Sequence, residues 1–91
     1  MLATRFAEVI SLVEEVAFQR VDKRTADYLV HAVDADGIIK KTHQDIAADI
    51  GTSREVISRI LKEFEHSGLV TLSRGEIHAD DLKELRRAAL T

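Results

Sequence analysis

The sequence predicts a mostly α-helical domain with one small β-hairpin near its C-terminal end. Three observations carry that reading. Apolar residues recur at helical spacing along most of the 91 residues. Proline is absent, and the four glycines, Gly37, Gly51, Gly68 and Gly75, each fall between such runs, where they punctuate rather than interrupt. Residues 69–79 instead break into two short runs around Ser73-Arg74-Gly75, the pattern of a hairpin with a glycine in its turn.

The elements follow in order. Residues 2–20 read as one long helix, because Leu2, Phe6, Val9, Val13 and Val16 recur at alternating spacings of four and three. Glu8, Glu14, Glu15 and Arg20 lie off that seam. An apolar seam must pack on something. A parallel pairing of two copies of the chain suits a heptad seam, and packing on this or another domain is the alternative. Val21 to about Val33 reads as a second helix, with Asp22 as its N-cap and Val21, Leu29, Val30 and Val33 apolar. Ala35-Asp36-Gly37 is a turn, and Ile38 to Lys41 a short strand whose lysines solvate a sheet edge. Thr42, three residues before Asp45, caps the next helix, which carries Ile46, Ala47 and Ile50 as its apolar stripe.

Gly51 follows directly, where a chain leaving a helix often turns left-handed. Thr52 stands three residues before Glu55, the capping-box spacing for a new helix start. In that helix Val56, Ile57, Ile60, Leu61 and Phe64 form the buried stripe, and Arg54, Glu55, Ser58, Arg59 and Lys62 fall on the other face. Gly68 ends it. The hairpin comes next, and Asp80 or Asp81 caps a last helix with Leu82, Leu85, Ala89 and Leu90 on one side.

A short helix, a glycine turn and a second helix make a helix-turn-helix, and a following hairpin makes it a winged helix. The second helix is too polar on one face to serve the core alone. Arg59 can present two parallel N–H groups to guanine O6 and N7, Glu55 can accept from the cytosine N4 amine, and Ser58 is small enough for close approach. The net charge of −3 argues against binding nucleic acid through bulk charge. Arg54, Arg59 and Lys62 against the single Glu55 nevertheless make that helix face locally positive, which is what phosphates sense. The bland roles compete: Glu55 can close a capping box with Thr52, Arg59 can pair with Glu55 or Glu63, and Lys62 can simply be solvated.

Other classes find less support. There is no cysteine, hence no disulfide or thiolate metal site, and a reducing compartment is allowed. No apolar run approaches the roughly 20 residues of a membrane span, and the first residues lack a signal-peptide core, so a cytoplasmic protein without membrane contact is expected. His31, His43, His66 and His78 share no metal-ligand spacing and read as surface or boundary residues. The serines lack a Gly-x-Ser-x-Gly setting, so no enzyme is expected. Arg86 and Arg87 suit a helix C-terminus without needing DNA.

From about Ala3 to Ala89 the chain resembles the C-terminal part of the Crp/Fnr family of bacterial transcription regulators. The matching stretches are Asp45-Ile46-Ala47, the run from Thr52 to Lys62, Ser67-Gly68-Leu69-Val70 and Gly75-Glu76-Ile77. The resemblance implies residues 1–20 as part of a dimerisation helix and residues 21–91 as a winged helix-turn-helix DNA-binding domain. It implies a recognition helix at about 53–66, with Arg54, Glu55, Ser58 and Arg59 at base-reading positions. Gln44 and Ser53 match phosphate-bonding positions, and Thr42, Thr52, Lys62 and the wing-tip Arg74 join them as phosphate candidates. His43 stands where a basic residue is common, which weakens that contact near neutral pH. Glu55, Ser58 and Arg59 resemble the branch reading TTGA-like half-sites, whereas Arg54 resembles the branch reading TGTGA-like ones. The implied partners are double-stranded DNA, a second copy through Leu2, Phe6, Val9, Val13 and Val16, and RNA polymerase. The family's N-terminal sensor β-roll has no counterpart here, so a DNA-binding fragment is expected, with no cofactor of its own and an effector that cannot be read. The rival reading is a winged-helix protein-interaction module that docks through its first helix.

Overall fold

The computed structural model describes residues 20–90, so the seam of Leu2, Phe6, Val9, Val13 and Val16 lies outside the described residues. Helix α1 covers residues 20–32 of that span. It is followed by β1 (Ile38–Ile39), α2 (His43–Ile50), α3 (Arg54–His66), β2 (Val70–Ser73), β3 (Glu76–Ala79) and α4 (Leu82–Leu90). The strands form one antiparallel sheet in the order β1-β3-β2. Ile39 lies opposite Ile77, and Leu72 lies opposite Ile77 from the other side. The short stretch at Ile38 thus extends the predicted hairpin to three strands. Lys40 and Lys41 are exposed and stand just beyond its edge.

Arg20 and Val21 are already helical, ahead of the N-cap expected at Asp22. The Thr25 hydroxyl donates to the Val21 carbonyl at 2.7 Å, a bond made back across one helical turn. Asp22 therefore sits inside α1 and caps nothing. Burial raises its pKa, and the nearby Glu63 carboxylate adds to the shift. At the other end, the Asp34 carboxylate accepts the amides of Asp36 at 2.9 Å and Ile38 at 3.0 Å. It thereby shapes the turn into β1.

The entry to α2 follows the expected chemistry in full. Thr42 is extended, its hydroxyl accepts the Asp45 amide at 3.0 Å, and the Asp45 carboxylate accepts the Thr42 amide at 3.0 Å. The entry to α3 does not. Gly51 takes φ of 89°, and the amides of both Gly51 and Thr52 donate to the Ala47 carbonyl, at 2.8 and 2.9 Å. Thr52 is thus engaged in closing α2. Ser53 is the first residue free to be extended, and its hydroxyl accepts the Val56 amide at 3.2 Å. Ser53 is the N-cap, and Glu55 closes no capping box.

Every element feeds one core. Leu29, Ile39, Ile46, Ile57, Ile60, Leu61, Ile77 and Leu85 have essentially no exposure, and Phe64 and Ile50 are nearly as buried. Fully burying a side chain of this size stabilises by about 1.5–3 kcal/mol, so the stripe of α3 anchors that helix firmly. Two polar ties add direction. Arg24 donates to the Ile50 carbonyl at the open end of α2, and the Tyr28 hydroxyl donates to Asp49 at 2.6 Å. Burial and the Asp49 bond together push the Tyr28 phenol up to about 12. The Glu65 carboxylate of α3 accepts the Leu72 amide at 2.8 Å, on the outer side of β2.

Asp81 caps α4, accepting the Glu84 amide at 3.1 Å, while the Asp80 carboxylate accepts the Thr71 hydroxyl instead. Leu85 is the buried anchor of α4, with Leu82 and Ala89 partly covered. Leu90 departs from the expected stripe, because it is 87% exposed at the end of the helix.

The caps yield a direct test. Thr42→Ala and Ser53→Ala should each lower the unfolding free energy by about 1 kcal/mol in urea titration. Thr52→Ser, which keeps the hydroxyl and the backbone bond, should change it by less than about 0.5 kcal/mol.

Candidate nucleic-acid interface

The outward face of α3 follows from its inward one. Once Ile57, Ile60, Leu61 and Phe64 enter the core, the positions between them must point away. Arg54, Ser58 and Lys62 then stack at successive four-residue steps, and Glu55 and Arg59 do the same beside them. Arg54, Glu55, Arg59 and Lys62 are exposed and Ser58 is half-buried. With Gln44 and Ser53 these side chains line one open groove of about 780 Å³. All four base-reading candidates and three of the phosphate candidates therefore share one surface.

A second groove of about 440 Å³ lies between the start of α2 and the hairpin. Thr42, His43, Gln44 and Arg54 form one wall, and Ser73 and Glu76 belong to the other. Gln44 and Arg54 border both grooves, so the two are contiguous. Arg74 is exposed at the hairpin tip beside this second groove. The tip is tight: Ser73 pairs with Glu76, and Gly75 supplies φ of 75° in the two-residue connection. Thr52 is half-buried behind Gly51 and lines neither groove. The N-termini of α2 and α3 open toward this region, and their unpaired amides favour anions.

The competing intrahelical roles are not taken up. Among the described residues no ion pair joins Arg59 to Glu55 or Glu63. The charge of Arg59 is thus available to an external partner. The ion pairs seen lie elsewhere, as in Arg87 with Glu84 at 3.3 Å. A further hollow of about 610 Å³, between α1 and the end of α2, differs in character. Lys23 and Arg24 there meet Asp27 and Asp49, so neither charge prevails.

One contact was not legible in the spacing. The imidazole Nδ1 of His43, the first residue of α2, lies 2.8 Å from Ser58 Oγ on α3. The two are fifteen residues apart and meet only because the helices cross. Burial lowers the His43 pKa below the ordinary 6.5, and the positive charges of Arg54 and Lys62 lower it further. His43 is therefore a half-buried residue, at the boundary as the sequence allowed, and it is joined to the candidate face.

Comparison with known proteins agrees with this geometry. The model of the Crp-like helix-turn-helix domain matches residues 23–88. The transcriptional regulator SdrP of Thermus thermophilus is 29% identical over 96 residues, covering 97% of this chain and 48% of the relative. The catabolite activator protein of Thermus thermophilus superposes with a TM-score of 0.87 at 27% identity, covering 98% of this chain and 43% of that one. The reduced CO-sensing protein of R. rubrum superposes with a TM-score of 0.89 at 24% identity, covering 97% and 45%, a likeness of fold. The chain spans about half the length of these relatives.

The His43 environment has a measurable consequence. Below about pH 6.5 the unfolded chain takes up a proton that folded His43 resists, so acidification favours unfolding through this residue. The loss begins near the unfolded pKa and is complete below the folded one. Unfolding free energies of the wild type and of His43→Gln, measured side by side, should diverge accordingly: the wild type loses ground as pH falls through that window. An unchanged difference would contradict the depressed pKa.

Proposed function

The chain belongs to the Crp-like helix-turn-helix family, and from that premise we propose that it is the sequence-specific DNA-binding domain of a bacterial transcription regulator. It lays α3 in the major groove of a palindromic site and acts as a homodimer in the cytoplasm. The observation that carries this is the division of α3: one face is sealed in the core, and Arg54, Glu55, Ser58, Arg59 and Lys62 converge on the other.

Each residue has a role in that reading. Arg59 offers a two-pronged contact to guanine, Glu55 accepts from a cytosine amine, and Ser58 and Arg54 read adjacent edges. Gln44, Ser53, Lys62 and the exposed Arg74 contact phosphates, as does Thr42 at the start of α2. The hydroxyl of Ser53 already accepts an amide, which leaves its proton for a phosphate oxygen. A groove that reaches from α3 to the hairpin suits a duplex crossing both. The protein-docking alternative fits less well. That reading docks through the first helix and leaves the charged outward face of α3 without a role, whereas the relatives matched along this chain are transcription regulators.

Selection from a pool of random duplexes tests the reading. Enrichment of a palindrome is expected, and recovery of unselected sequence would overturn it. On the enriched site Arg59→Ala should cost about 1–3 kcal/mol and relax preference at one base pair. Lys62→Ala should weaken all duplexes alike and reduce the salt dependence by about one phosphate contact.

A further inference from the structure

We propose that His43 is a positioning residue for base recognition: it determines whether the Ser58 hydroxyl faces DNA as a hydrogen-bond donor or as an acceptor. This rests on the DNA-binding function proposed above. The contact is 2.8 Å from Nδ1 to Oγ and joins the first residue of α2 to the middle of the α3 face. Ser58 shares that face with Arg54, Glu55, Arg59 and Lys62.

The chemistry is a matter of one proton. A hydroxyl has a single proton and two lone pairs. Where His43 carries its proton on Nε2, Nδ1 is an acceptor and takes the Ser58 proton. Ser58 then shows only lone pairs, which suit the N6 amine of adenine or the N4 amine of cytosine. Where Nδ1 carries the proton, it donates to Oγ and leaves the hydroxyl proton free. That proton suits guanine O6 or N7, or thymine O4. An imidazolium has both nitrogens protonated and enforces the second state.

The surroundings disfavour the imidazolium, which would enforce the second state. Burial opposes the imidazolium first, and the positive charges of Arg54 and Lys62 on α3 add to it; Lys41 lines the same groove. Two carboxylates stand nearby. Asp45 is held by the Thr42 amide, and Glu76 lines the far wall of the shared groove from β3. Neutral His43 borders the groove between α2 and the hairpin, where a phosphate oxygen meeting Nε2 would hold the proton there. Docking on the backbone thus fixes the polarity with which Ser58 reads its base.

Two measurements test this. The first uses the enriched palindrome with each base pair of the half-site varied in turn. Ser58→Ala identifies the pair that Ser58 reads, by flattening preference there. At that pair the wild type should favour the amine-bearing base. His43→Phe, which keeps an aromatic ring without its nitrogens, should reduce that preference roughly two- to tenfold, the worth of one neutral hydrogen bond. Lowering the pH through the titration of folded His43, followed by its imidazole shifts, should erode it in the wild type but not in His43→Phe. Adding His43→Phe to Ser58→Ala should change nothing further at that pair, and preference at the guanine read by Arg59 should persist throughout.

Uniform weakening by His43→Phe on all duplexes, with the preference at the Ser58 pair intact, would overturn the proposal. So would a Ser58→Ala variant that flattens no position, and an intact Arg59 effect would then show that DNA reading itself survives. Failure to enrich any palindrome would instead reject the underlying function. The second measurement needs no DNA. Imidazole nitrogen shifts in the free chain should change at His43 on Ser58→Ala and stay constant at His31. Constant shifts at both residues would refute the contact and the proposal with it.

Discussion

The apolar stripe of α3 governs the rest of the structure. Ile57, Ile60, Leu61 and Phe64 enter the core from a single helix face, and their burial sets the rotation of that helix. A helix has one angular degree of freedom about its axis. Burial of four large side chains removes it, since turning the helix would expose several of them together. Five polar side chains are thereby presented in a stable order without needing contacts among themselves. The absence of an Arg59 ion pair to Glu55 or Glu63 among the described residues fits this division of labour.

The helix ends supply the second constraint. Ala47 receives two amides, from Gly51 and Thr52, so the chain reverses within a few residues. The reversal brings the starts of α2 and α3 to one side of the molecule, where Thr42 and Ser53 each satisfy one amide and leave others facing solvent. The crossing that results also places His43 against Ser58. Turn geometry and recognition chemistry are therefore linked, because a different turn would separate that pair while leaving each helix intact.

What the sequence disclosed depends on the range of the interaction. Helical periodicity, glycine placement and the Thr42–Asp45 box are local, and they located α2, α3 and the hairpin closely. The polar face of α3 followed from the same periodicity. Thr52 misled because its spacing to Glu55 matches a capping box, while its amide is committed to Ala47, a demand of the preceding helix. Asp22 misled because a residue favoured at helix starts also occurs inside helices when the flanking turn is already formed. The pairing of β1 with β3 and the His43–Ser58 contact join residues far apart in the chain. No periodicity encodes such meetings, which arise only once the core has assembled.

The bond from Leu72 to Glu65 bears on how copies of the molecule meet. An open strand edge is an invitation to edge-to-edge pairing and, at high concentration, to fibrous aggregation. On one margin of the sheet a carboxylate occupies an outward amide and places negative charge beside it. On the other margin β1 is only two residues long and is followed by two lysines. Both margins are thereby blunted against pairing with the sheet edge of another molecule.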